Sequence, residues 1–305
     1  MSESNSNYHQ PVMLKECIEG LEIKPDGIYV DLTFGGGGHS RAILEKLKDG
    51  HLYAFDQDQD AKANAEQIKN SSFTFIEGNF RYLKRYLKMY GVKAVDGILG
   101  DLGISSHQID DAQRGFSTRF DAELDMRMDQ SASKTARQVV NEYSEEDLHR
   151  ILGMYGEVRN ARTLAKAIVA ARINAEIRTI EDLKRILNKY VKRGKENRYY
   201  AQVFQAIRIE VNDELKALED VLEQGSEMLA PEGRLVIMSY HSLEDRLVKN
   251  YIMKGKVSGD VEKDFYGNVI KPLEAVTRKP LTASEEELKV NNRARSAKLR
   301  IAKKL

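Results

Sequence analysis

Four consecutive glycines, Gly35–Gly38, stand in "DLTFGGGGHSRAI" (31–43) between an apolar run and a helix-like stretch. Glycine at this density weakens any regular element, so something must approach the backbone too closely for side chains to be tolerated. A glycine-rich turn that closes a first strand and opens a helix is the nucleotide-cofactor turn of doubly wound sheets. A flexible linker would not be flanked so tightly on both sides.

The neighbouring sequence supports such a sheet. Apolar runs rich in β-branched and aromatic residues recur as "GIYVDLTF" (27–34), "HLYAFDQD" (51–58), "FTFIEGNF" (73–80) and "VDGILGDLG" (95–103), with helical stretches between them. Strands alternating with helices predict βαβ units and a parallel sheet covered on both faces. From about 112 to 213 only helical signals remain, and an amphipathic stretch then places Phe204, Ile207, Val211, Leu215, Leu218 and Leu222 at three- and four-residue spacing. "APEGRLVIMSYHSLEDR" (230–246) restores a strand, followed by "SLED", with Ser242 and Asp245 spaced as a capping box. The economical reading is an α/β sheet interrupted after its fourth strand by a helical insertion, then completed by a fifth strand and a tail.

Composition narrows the class. A chain of 305 residues with 41% hydrophobic and 31% charged residues can bury a full core, and no apolar run nears the ~18 residues of a membrane span. The polar start, "MSESNSNYHQ", reads as a frayed terminus rather than a signal peptide. A single cysteine, Cys17, excludes an internal disulfide framework and a multi-cysteine zinc site. A cytoplasmic protein without a metal site is the default expectation. The net charge of +1 hides basic clusters at 81–93, 183–198 and 289–305. Each is a solvated helix face or a track for a phosphate backbone.

Acids decide which cofactor suits the glycine turn. Asp31, Asp56 and Asp101 fall at the ends of the first, second and fourth predicted strands, which in a parallel sheet open on one crevice. Carboxylates crowded round a dinucleotide's pyrophosphate would cost Coulomb energy, whereas S-adenosyl-L-methionine brings a sulfonium and an ammonium group. Asp56 would hydrogen-bond the ribose hydroxyls, and Phe80 of "GNF" would offer an apolar face to the adenine. For Asp31 a loop or cap role is equally open. A methyltransferase is the leading reading. An NAD-dependent oxidoreductase remains as an alternative, although Gly35, Gly37 and Ser40 meet G-x-G-x-x-G imperfectly, and so does an RNA-binding assembly factor without catalysis.

"YHQPVML", "DLTFGGGGHS", "DGILGDLGISSHQIDDAQRGFS", "LDMRMD", "FQAIRIEVNDEL", "GRLVIMSYHSLEDR" and "NNRARSAKLR" together resemble the bacterial 16S ribosomal RNA (cytosine-N4)-methyltransferases, the MraW/RsmH family, from about Tyr8 to Arg300. The resemblance implies a class I (Rossmann-like) methyltransferase fold made of 1–112 and 214–305, with an inserted all-helical domain, 113–213, for RNA-substrate recognition. It implies S-adenosyl-L-methionine as donor and a decoding-region cytosine of 16S rRNA in the small ribosomal subunit as acceptor. Carried over position by position, the cofactor-binding residues are Gly37, Gly38, His39, Asp56, Phe80, Asp101 and Gln108. His107, Gly100, "NRYYAQ" (197–202) and Asn292 depart from the family pattern, and the "NRYYAQ" change puts a substrate role for that segment in doubt.

The exocyclic amine of cytosine is a poor nucleophile, and its methylation is mainly a positioning task. Asp101 is the candidate acceptor for the amine hydrogens. His241, after the fifth strand, is a candidate base contact or proton shuttle, with a packed loop histidine as the equal alternative. Ser105 and Ser106 would reach the base edge or bond the turn backbone. "RGFS" (114–117) and "LDMRMD" (124–129) would form a lip for a flipped base, although Met126 and Met128 read better as core. Arg293, Arg295, Lys298 and Arg300 would meet phosphates, unless part of that tail docks on the sheet as a strand or helix. The sequence does not set the oligomeric state; a dimer stays open.

Overall fold

The computed structural model describes residues 11–305; the frayed terminus expected at 1–10, with the first part of "YHQPVML", lies outside the described residues. Two compact units result: the chain up to Gly103 together with Lys216–Leu305, and Ile104–Leu215. The sequence reading divides the chain at 112/113 and 213/214; the compact units divide at 103/104 and 215/216.

The first unit is built on seven strands: β1 (Ile28–Asp31), β2 (His51–Asp56), β3 (Phe73–Glu77), β4 (Val95–Asp101), β5 (Leu229–Ser239), β6 (Leu273–Ala275) and β7 (Lys298–Lys304). Their order is β3-β2-β1-β4-β5-β7-β6. β1 to β5 run parallel, and β7 enters antiparallel between β5 and β6. This is the class I methyltransferase arrangement, an α/β Rossmann-like fold. Strands buried on both faces explain the unbroken apolar runs. On one face Val30, Leu32, Phe55, Ile98 and Ile237 meet Leu218, Leu222, Val248 and Ile252 of the helices Glu214–Met228 and Ser242–Lys254. On the other, Tyr29, Leu52, Leu99, Val236 and Leu299 meet Cys17 and Leu21 of Leu14–Leu21 and Ile43 of Gly38–Leu44.

One sequence reading changes, and one open alternative is decided. The amphipathic stretch is two helices, Glu196–Asn212 and Glu214–Met228, because Asp213 takes a left-handed conformation (φ 51°) that ends the first. The tail takes the docked-strand alternative: it supplies β7, with Leu299 and Ile301 in the core on one face and Arg300 paired with Asp245 on the other.

In the second unit, Val139, Ile151, Leu164, Ile168, Leu183, Val203 and Ile207 close one helical core. Met126 and Met128 are buried in it, as the packing reading expected. "RGFS" and "LDMRMD" lock together there. Arg114 is buried and donates Nη2 to the carbonyls of Arg127 (3.0 Å) and Met128 (3.2 Å). Asn212 holds Met126 in a left-handed turn (φ 60°), donating Nδ2 to its carbonyl (2.7 Å) and accepting the Met128 N–H (2.7 Å). No helix among the described residues is long and apolar enough to cross a membrane.

Candidate active site

Three strands deliver carboxylates to the same edge of the sheet. Asp31, Asp56 and Asp101 are the last residues of β1, β2 and β4. Each is fixed by the backbone around it. Asp31 accepts from Ser40 Oγ (2.6 Å) and the Thr33 N–H (3.0 Å). Asp56 accepts from the N–H groups of Gly35 (2.7 Å) and Asp58 (2.9 Å). Asp101 donates its N–H to Thr33 Oγ1 (2.7 Å), and its Oδ1 accepts from the Tyr240 hydroxyl (2.7 Å). The other oxygen, Oδ2, lies 3.9 Å from His39 Nδ1, while His39 Nε2 is 3.1 Å from the Val12 carbonyl.

Enclosing these acids disfavours their charge. Burial pushes Asp56 and Asp101 each up to about 6, against the pull of their hydrogen bonds and, for Asp101, of His39. It also raises Asp31, and it raises the Tyr240 phenol far above its ordinary range with the help of the adjacent Asp101. A pocket of desolvated carboxylates accepts a cation readily and repels a pyrophosphate. This donor set fits a sulfonium and ammonium ligand.

The glycine run divides by cause. Gly35 and Gly37 have φ of 51° and 76°, the left-handed region. A Cβ on Gly37 would come 2.7 Å from Phe34 Cζ, and one on Gly38 would come 2.2 Å from Pro11 Cγ. Gly36 has open space, with nothing within 4 Å of a built Cβ. Arg41 Nη1 and Asn64 Nδ2 hold the loop by the carbonyls of Gly36 (2.7 Å) and Gly35 (3.2 Å). Gly36 is the exposed glycine at the tip of this loop.

Phe80 opens a turn capped by Asn79, whose amide donates to Gln57 Oε1 (2.8 Å) beside Asp56, and its ring is half-buried against the sheet core. Gln108 belongs to the second unit, where it closes a capping box with Ser105: the Ser105 N–H donates to Oε1 (3.0 Å) and the Gln108 N–H to Ser105 Oγ (3.2 Å).

A family profile described as the MraW methylase family matches residues 6–305. The chain belongs to the MraW methylase family. The protein named ribosomal RNA small subunit methyltransferase H of Cytophaga hutchinsonii is 62% identical over 297 residues, 97% of this chain and 99% of its own. Its namesake in Christiangramia forsetii is 56% identical over 299 residues, 98% of each chain. A crystal structure of an rRNA methylase from Streptococcus thermophilus aligns over 96% of this chain and 93% of its own, at 14% identity and a TM-score of 0.40.

Tyr240 is the site residue that sequence reasoning missed in this MraW methylase chain. Its signal was its place directly after β5, in the same "SYHSLED" that drew attention to His241. His241 itself caps the following helix: Nδ1 accepts the Glu244 N–H (3.4 Å), and Nε2 lies 3.2 Å from Glu244 Oε1. The cap therefore starts one residue earlier than the predicted Ser242–Asp245 box. Asp245 instead accepts from Arg300 Nε (2.7 Å) and Lys298 Nζ (3.3 Å). Of the four tail cations, Arg300 and Lys298 are thus tied from β7 to Asp245 of the helix Ser242–Lys254, Arg293 is half-buried and Arg295 is exposed. The departures at Gly100 and "NRYYAQ" have packing reasons. A Cβ on Gly100 would lie 3.0 Å from Ile237 Cδ1 and 3.2 Å from Leu32 Cδ1, and the Tyr199 hydroxyl donates to Asn160 Oδ1 at 3.1 Å.

Proposed function

We propose that this chain transfers a methyl group from S-adenosyl-L-methionine to the exocyclic N4 amine of a cytosine in the decoding region of 16S rRNA, within the small ribosomal subunit. The cytosine and subunit assignments follow from the motifs quoted above, and the names of the relatives support rRNA as substrate. The observation that carries the donor is the trio of enclosed carboxylates beside the bare Gly36.

The donor supplies an electrophilic methyl group on a positive sulfur. Asp31 and Asp101 offset that charge, Asp56 accepts the ribose hydroxyls, and Phe80 covers the adenine. Asp101 serves the acceptor as well. With Oδ1 held by Tyr240, Oδ2 is the oxygen that receives an amine hydrogen and steers the nitrogen lone pair toward the methyl. Tyr240 keeps that carboxylate in one orientation. Once methylated, the amine sheds its extra proton readily, so no strong base is required. His241 orients the turn after β5 through Nδ1, which caps the helix, while its buried Nε2 faces Glu244 and makes no hydrogen bond among the described residues.

The test uses small subunits from cells lacking the enzyme, labelled donor and nucleoside digestion. N4-methylcytosine should appear with the parent chain and disappear with Asp101→Ala. Label in any other nucleoside would remove the cytosine assignment.

A further inference from the structure

Far from the carboxylates in the sequence, the segment after the helix Ser242–Lys254 projects two neighbouring rings into solvent. Phe265 is 97% exposed and Tyr266 86%, and their rings meet edge to face at 5.8 Å and 87°. Single exposed apolar residues are ordinary; a contiguous aromatic pair marks a contact site. The turn beneath is firmly built. The Gly267 N–H donates to the Asp264 carbonyl (3.0 Å) and the Asp264 N–H to the Asn268 carbonyl (2.9 Å). Asp264 Oδ1 accepts the N–H groups of Tyr266 (2.9 Å) and Asn268 (2.8 Å), and Gly267 supplies the φ of 87° that the turn needs. Lys263 and Val269 bridge below it, and Lys256 pairs with Glu262 at 2.8 Å. The turn fixes the backbone that carries both rings, so a partner has only their side-chain rotamers left to order.

Charge indicates the partner. Lys263 adjoins the rings in sequence, and at the hairpin's base Gly255, which follows Lys254 in the chain, packs against the Ile270–Lys271 backbone. None of the three lysines has an ion pair among the described residues. We propose that Phe265 and Tyr266 are a stacking platform for unpaired RNA bases, with these lysines meeting the adjoining phosphates. Around these rings stand Lys263, Asp264 and Asn268, while flat faces beside cations suit nucleobases. The inference rests on the RNA reading above and adds a second place where the substrate is held.

The chain contains no tryptophan, so Phe265→Trp gives a stacking-competent ring that is also the sole indole reporter. A short single-stranded oligoribonucleotide should quench that emission, and a blunt duplex of the same sequence should not. The double change Phe265→Ala with Tyr266→Ala should weaken single-strand binding about tenfold or more, with donor affinity by calorimetry unchanged. If the parent binds RNA but the indole stays bright and the double variant binds equally well, the platform is overturned and the RNA reading stands. If the parent binds donor but no RNA of either form, the platform is overturned, and methyl transfer to small subunits decides the RNA reading on its own. If sedimentation shows that the double variant loses self-association with RNA affinity intact, the rings belong to a second copy of the chain and the RNA platform is overturned.

Discussion

Raising the pH from 5 to 7 should tighten donor binding, and the site sets the size of the effect. Asp101 titrates at about 6 because burial disfavours its charge, and the cationic donor is held by the ionised form. A group with that midpoint is about one-tenth ionised at pH 5 and about nine-tenths at pH 7, so affinity should rise about tenfold through this carboxylate alone. The donor's own amino group titrates near 8 and leaves this window undisturbed. Calorimetry at pH 6 in buffers of different ionisation enthalpy should show release of about half a proton from Asp101 on binding, with Asp56 adding to it. In Asp101→Asn the Asp101 share vanishes, and the pH dependence becomes shallower. Stability moves in the opposite direction. A carboxyl whose folded pKa is raised favours the fold below its unfolded value near 4, and that contribution is lost as pH rises through about 6. Without donor at pH 7, Asp101→Asn should therefore unfold at higher urea, by about 1–3 kcal/mol. Affinity that is flat from pH 5 to 7, or proton uptake on binding, would refute the view that charge frustration at the strand ends is what the donor relieves.

Other outcomes separate causes that the sequence runs together. Gly38→Ala should destabilise the fold by about 1–3 kcal/mol through Pro11; Gly36→Ala should leave the urea midpoint in place and weaken donor binding. Asn212→Ala should cost about 1–3 kcal/mol, because it leaves the buried Met126 carbonyl and Met128 N–H without their partner, and should show first in hydrogen exchange of the helical unit. Arg295→Ala should weaken RNA binding and make its salt slope shallower by about one counterion. By contrast, Arg300→Ala should lower the melting temperature, since its guanidinium serves Asp245.

Much of this was legible in the chain. Parallel strands covered on both faces leave unbroken apolar runs, so β1, β2 and β4 announced themselves, and each ended visibly in an acid. Tyr240, β6 and β7 were harder for a common reason: their partners are distant in sequence. Tyr240 finds Asp101 across 139 residues and Arg300 finds Asp245 across 55, and no local spacing encodes either pairing. In "KLRIAKK" the lysines and arginine catch the eye as a basic tail, although the alternation is that of a strand. Asp213 breaks a helix with neither glycine nor proline, where the periodicity runs on undisturbed. The glycines were read as ligand-facing; three of the four answer to φ or to Phe34 and Pro11, a distinction visible only once the loop is folded.

β4 and β5 lie side by side and parallel, so some long crossover had to join them whatever else the chain did. The helical unit occupies that obligatory detour. Closing a loop grows costlier only with the logarithm of its length, so a crossover that must be long in any case tolerates a further helical unit at little extra entropic cost. Every carboxylate, the bare glycine and Tyr240 belong to the part that would remain if the graft were exchanged. Exchanging the detour would therefore leave the three strand-end carboxylates and Tyr240 on the chain segments that build the sheet.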